Sequence, residues 1–174
     1  MKAVNLTIAL IVAQASWAAW AGPDKLEIKG LQIGMSEAEF KKVNPKAKCS
    51  FSVRDKAWDS SISPVRTCSV PSFTVAAKEA KDTRFLFYED KLGALNIGFH
   101  DFYGKDVQQA LSDKYGSPAT ESGKYPGVSW RFADSRMRFH FLGSSAVLFV
   151  ESPLQDAWDL KLTEFERRNA KKDL

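Results

Sequence analysis

The sequence predicts an α+β fold: two helix-plus-antiparallel-strand repeats share a curved sheet with helices on one face, and a C-terminal helix closes the domain. Three observations predict it. Short segments alternate apolar and polar residues with period two, most cleanly from Arg136 to Leu142. Capped amphipathic segments stand between them. The order of helix and strands also occurs twice, with Gly34 and Gly104 ahead of the helices and Pro45 and Pro118 behind them.

The elements follow in order. Lys2 and the apolar run Ala3 to Val12, ending in Ala19-Trp20-Ala21, have the form of an export signal cut after Ala21. The run is too short for a bilayer, which takes about 20 apolar residues. After a polar lead from Gly22 to Lys29, Ser36-Glu37-Ala38-Glu39 forms a capping box, whose hydroxyl and carboxylate satisfy backbone N–H groups at a helix start. Ala38, Phe40 and Val43 form its expected buried stripe, and Asn44-Pro45 ends it. Cys49, Phe51 and Val53 then alternate with Ser50 and Ser52 as a strand. A polar loop from Arg54 to Ser63 carries Trp58, and Val65 to Val70 returns as a second strand. Phe73 to Ala77 is a short apolar segment. Arg84 to Tyr88 and Leu92 to Phe99 flank a Glu89-Asp90-Lys91 turn.

The second repeat begins with Val107, Ala110, Leu111 and Tyr115 at helical spacing, stopped by Gly116 and Pro118. Strands follow at Val128 to Ala133, Arg136 to Leu142 and Ala146 to Glu151. In the middle one Met137, Phe139 and Phe141 face inward, while Arg136, Arg138 and His140 face out. Ser152-Pro153-Leu154-Gln155 starts the last helix with an expected Ser cap, and Leu154, Trp158, Leu162 and Phe165 form its apolar stripe. The domain expectation is therefore a signal peptide over 1–21, one α+β domain over 22–152 with repeats near 30–100 and 101–152, and a helix over 153–174 packed on it.

Composition narrows the function classes. Without the leader about 150 residues remain, enough for one domain with a real core. Lys2 is the only charge lost, leaving 24 basic against 21 acidic side chains. This balance is weakly basic and its charges are scattered, which argues against a nucleic-acid partner. The two cysteines, Cys49 and Cys68, read as a disulfide in an exported chain. A metal site built from Cys49, Cys68, His100 and His140 is the alternative, but their spacing matches no metal motif. No metal and no cofactor is expected.

Gly34-Met35-Ser36-Glu37-Ala38-Glu39, Asn44-Pro45 and Cys49 resemble the opening of small exported proteobacterial proteins of unassigned function. Val107-Gln108-Gln109-Ala110-Leu111 with Tyr115-Gly116-Ser117-Pro118 resembles the helix motif of the SmpA/OmlA and beta-lactamase-inhibitor-protein-like group. The likeness covers most of residues 30 to 152. It implies a helix paired with a curved antiparallel sheet, often in tandem, and a partner-binding role; it transfers no catalytic residue. The chain departs from the lipoproteins of that group by having no Cys just after the apolar run.

Catalytic patterns are missing from the sequence. It has no G-x-S-x-G elbow, no Gly-rich phosphate loop, and no partner motif for either histidine. The expectation is a non-catalytic periplasmic or secreted protein that binds another envelope or extracellular protein. Its candidate surface is the sheet face opposite the helices: Asn96, His100, Arg131, Arg136, Arg138 and His140, together with Trp58 as an anchor. Two other readings stay open: a ligand carrier or enzyme with a pocket around His100 or His140, and a structural envelope factor.

Overall fold

Alternating segments pair with one another, and their pairing sets the architecture. The computed structural model describes residues 25–51 and 65–170. The leader and Trp58 lie outside the described residues. The chain runs β1 (Glu27–Ile28), β2 (Leu31–Gln32), α1 (Glu37–Val43), β3 (Lys48–Phe51), β4 (Arg66–Ser69), β5 (Thr74–Val75), β6 (Lys78–Glu79), β7 (Asp82–Tyr88) and β8 (Lys91–His100). It continues through α2 (Asp101–Tyr115), β9 (Ala119–Glu121), β10 (Gly127–Arg131), β11 (Arg136–Leu142), β12 (Ser145–Glu151) and α3 (Pro153–Ala170).

Eight strands form one antiparallel sheet in the order β3-β4-β7-β8-β12-β11-β10-β9. Each half of the chain contributes a helix and then four strands of this sheet, and the last strands of the halves, β8 and β12, pair at its centre. Two small hairpins, β1–β2 and β5–β6, lie outside it.

The inner face carries the core. Leu95, Ile97 and Phe99 of β8, Ala146, Leu148 and Val150 of β12, and Met137 and Phe139 of β11 are buried there against Val107, Leu111 and Tyr115 of α2. The last three lie four residues apart, on one side of a helix. Phe141 shares this face but stays exposed at its rim, where it packs on Gly104 of α2. A Cβ at Gly104 would stand 2.4 Å from that ring, so the glycine permits the close approach.

The capping box of α1 forms as expected, with the Ser36 hydroxyl accepting from the Glu39 N–H and the Glu39 carboxylate accepting from the Ser36 N–H. The expected stripe is corrected. Only Phe40 is buried, while Ala38 and Val43 are exposed. The helix is short, and the inward position one turn before Phe40 belongs to Glu37, which meets Arg66 of β4.

One further expectation, at the C-terminus, is corrected. Ser152 does not cap α3 through its side chain; the hydroxyl donates to the Gly93 carbonyl at 2.6 Å, fastening the strand end to β8. The helix itself crosses the sheet face opposite α1 and α2. Trp158, Leu162 and Phe165 pack with Val65, Leu86, Tyr88 and Ala94, and Ala94 points away from the neighbouring core residue Leu95. One end of the outer face is therefore roofed. No helix among the described residues is long and apolar enough to cross a membrane.

Candidate functional site

Strand register places side chains in rows across the outer face. One row runs Ser129, Arg138, Phe149, Asn96 and Arg84, through β10, β11, β12, β8 and β7. The next, toward the start of α3, runs Arg131, Arg136, Glu151, Ala94 and Leu86. On the other side lie Gly127, His140, Val147, Gly98 and Asp82. Because α3 covers Ala94 and Leu86, the open part of the face is a strip centred on Val147 and Phe149.

The expected residues fare differently within this frame. Arg136 and Arg138 lie on the outer face, but each is paired: Arg136 donates to Glu121 of β9, and Arg138 to Glu151 of β12. Burial would raise the Glu121 pKa, yet the Ser129 hydroxyl and the Arg136 guanidinium outweigh it and hold the carboxyl below its ordinary value. Arg131 is exposed on the same face. Asn96 is half-buried between Arg84 and Phe149. His100 is exposed at the start of α2 and stacks on Phe102 at 5.3 Å, at the rim of the sheet.

His140 corrects the expectation of an exposed sheet residue. It points outward but is 7 % exposed. Its Nδ1 lies 2.9 Å from the Tyr125 carbonyl oxygen, so Nδ1–H donates and ties down the β9–β10 connection, and the ring meets the edge of Phe149. Gly127 is what lets them meet, since a Cβ there would stand 2.3 Å from the Phe139 carbonyl oxygen and 2.6 Å from His140 Nδ1. Alternation assigns a side chain to a face but says nothing about which loop lies over it.

Sequence reasoning missed Val147, Phe149 and Arg84. The signal was present: Val147 and Phe149 interleave with the buried Ala146, Leu148 and Val150, so β12 is apolar on both faces where a half-exposed strand is usually polar on one.

Among the described residues one group of potential metal ligands comes together, Glu37, Cys49 and Cys68, and it contains no histidine. Both sulfurs are consumed by the Cys49–Cys68 disulfide, which joins directly opposed positions of β3 and β4. The alternative metal set with His100 and His140 is not assembled. Glu37 instead holds Arg66 at 2.5 Å and Lys41 at 2.6 Å. Burial pushes the Glu37 pKa up, but the hydrogen bonds and charges of Lys41 and Arg66 prevail and leave it lowered.

A carboxyl with a lowered folded-state pKa stabilises the fold above its unfolded pKa and loses that contribution as pH falls through the folded value. Glu37→Gln is therefore expected to destabilise the domain by about 1–2 kcal/mol at pH 7, discounted for the partial exposure of Arg66. The difference from wild type should shrink as pH falls below the usual carboxylate range. Urea unfolding at neutral and acidic pH checks both.

A family model described as an uncharacterised protein matches residues 28–150, from β1 to β12 and so across the whole sheet. The chain belongs to that family. Comparison with curated proteins and with solved structures finds no match. No link to the SmpA/OmlA or beta-lactamase-inhibitor-protein-like group emerges.

Proposed function

We propose that the chain is an exported, non-catalytic binding module that docks another envelope or extracellular protein on the open strip of its outer sheet face. One observation carries this reading: the strip has the anatomy of a protein interface. Val147 and Phe149 supply a half-buried apolar centre, and Asp82, Arg84, Asn96 and the Arg138–Glu151 pair supply a polar rim. The roof of α3 over the neighbouring apolar residues leaves this part of the face open. The disulfide and the leader-like opening support an oxidising compartment. The shared order of the two halves supports an origin in a repeated helix-plus-strand unit.

A photo-crosslinking amino acid placed at Asn96 is expected to give a discrete adduct in the envelope. The same group at Gln109, exposed on α2 across the sheet, is expected to give none. Phe149→Asp should abolish the Asn96 adduct. Equal adducts from both positions, or an Asn96 adduct indifferent to Phe149→Asp, would overturn the proposal.

A further inference from the structure

We infer that the edge of the outer face formed by β3, β4 and β7 is a binding site for a tetrahedral oxyanion, a phosphoryl or sulfuryl group. The site adjoins the open strip but does not depend on the protein-docking reading.

Alternation and register assemble it. Lys48 and Ser50 of β3 sit opposite Ser69 and Thr67 of β4. Cys68 pairs with Phe85, so Arg84 of β7 follows Ser69 in the same row. These five side chains, with Cys49 and Thr83, line a depression of about 330 Å³. Lys48 and Arg84 stand at the ends of a row three strands wide, about 10 Å apart at the backbone. Their long side chains can therefore converge on one small group lying over the hydroxyls.

The chemistry of the lining is one-sided. It offers a guanidinium, an ammonium and the hydroxyls of Ser50, Thr67 and Ser69, and among the described residues it contains no carboxylate. Among the described residues, neither Lys48 nor Arg84 is paired with an acid. This sets them apart from Arg136 and Arg138, which are already neutralised. Thr83 is the one hydroxyl here that is engaged, bonding the backbone of Val70. The nearest acid along β7, Asp82, leans away over Gly98 of β8, where a Cβ would meet its carboxylate at 2.9 Å.

A phosphate or sulfate presents three or four oxygens and can accept from several donors at once, whereas a carboxylate presents two. Charge-assisted bonds from Arg and Lys would supply most of the attraction, and the hydroxyls would supply geometry.

The test titrates the leaderless, disulfide-intact chain with inorganic phosphate and with sulfate, at ionic strength held constant with chloride, and follows amide and Arg side-chain NMR signals. Saturable shifts at Ser50, Thr67, Ser69 and Arg84 are expected with both oxyanions. Arg84→Gln and Lys48→Gln should each weaken binding by about tenfold, and Thr67→Val less. Arg131→Gln, on β10 at the opposite end of the same face, should leave it unchanged. A parallel titration with a phosphate monoester distinguishes the sources: tighter binding than inorganic phosphate assigns the site to a phosphorylated ligand, and weaker binding to the free ion. Shifts that grow linearly without saturating, or equal affinity in the Lys48→Gln/Arg84→Gln double variant, would overturn the inference.

Discussion

Phe85→Ala is expected to lower the unfolding free energy by about 3–5 kcal/mol, the largest loss from any single substitution considered. Phe85 is fully buried in β7. Its ring lies 4.9 Å from Phe40 of α1 and 5.4 Å from Phe73, which precedes β5. On the sheet it pairs with Cys68 on one side and Leu95 on the other. Truncation removes the ring's own transfer free energy and opens a cavity between elements that cannot all collapse into it, because the disulfide and the central strands fix the floor. Phe102→Ala is the control. That ring is 67 % exposed, and its loss should cost under about 0.5 kcal/mol. Urea unfolding of both variants measures the contrast. A loss below about 1 kcal/mol for Phe85→Ala would place the core elsewhere.

The second large effect belongs to the disulfide. Replacing Cys49 and Cys68 together by alanine is expected to cost about 3 kcal/mol, the value the chain-entropy model gives for a loop of this size, the two cysteines being 19 positions apart. The damage should be local first. Among the described residues β3 is an edge strand bonded to β4 alone, and its residues are mostly exposed. Little apolar burial holds it once the bond is gone. Hydrogen exchange should therefore accelerate most at Lys48–Phe51 and least in β8 and β12, which are paired on both sides. Uniform acceleration across the sheet would instead mean that the bond staples the whole domain.

Much of this architecture was legible in the residues, and the limits have physical causes. Alternation located β8, β10 and β11 because each turns an apolar face to the core, while β7 and β12 were legible as apolar runs between turns. The turn after Tyr88 was legible even without glycine. Glu89 and Asp90 both adopt positive φ (49° and 62°), the conformation a tight two-residue hairpin requires. The β1–β2 hairpin has no counterpart in the sequence expectations, and its first strand lies in the polar lead, although Leu26, Ile28 and Leu31 are all buried and Lys29-Gly30 turns the chain between them. Strands of two residues are too short for periodicity to register. This hairpin is held from a distance instead, by Tyr115 and Lys114 of α2 donating to the Glu27 carbonyl.

The candidate surface was legible as a face but not as a site. Period two correctly put Arg136, Arg138 and His140 on the outer side. It carried no information about Glu121 and Glu151 arriving from other strands to neutralise the arginines, nor about the Tyr125 carbonyl covering the histidine. Helical periodicity likewise gave the α3 stripe without saying which side of the sheet it would roof. Both are tertiary facts, set by register and by chain crossings far apart in sequence. They moved the candidate surface away from the arginine ladder and onto Val147 and Phe149.

The most direct test of that surface is methyl and aromatic NMR of the leaderless chain, alone and with the partner recovered by crosslinking at Asn96. Docking on the open strip requires the Val147 methyls and the Phe149 ring to shift on binding, while Ala94 and Leu86 under α3 and Val107 on the buried side of α2 hold still. Shifts concentrated on α1 and α2, with Val147 and Phe149 unmoved, would contradict it.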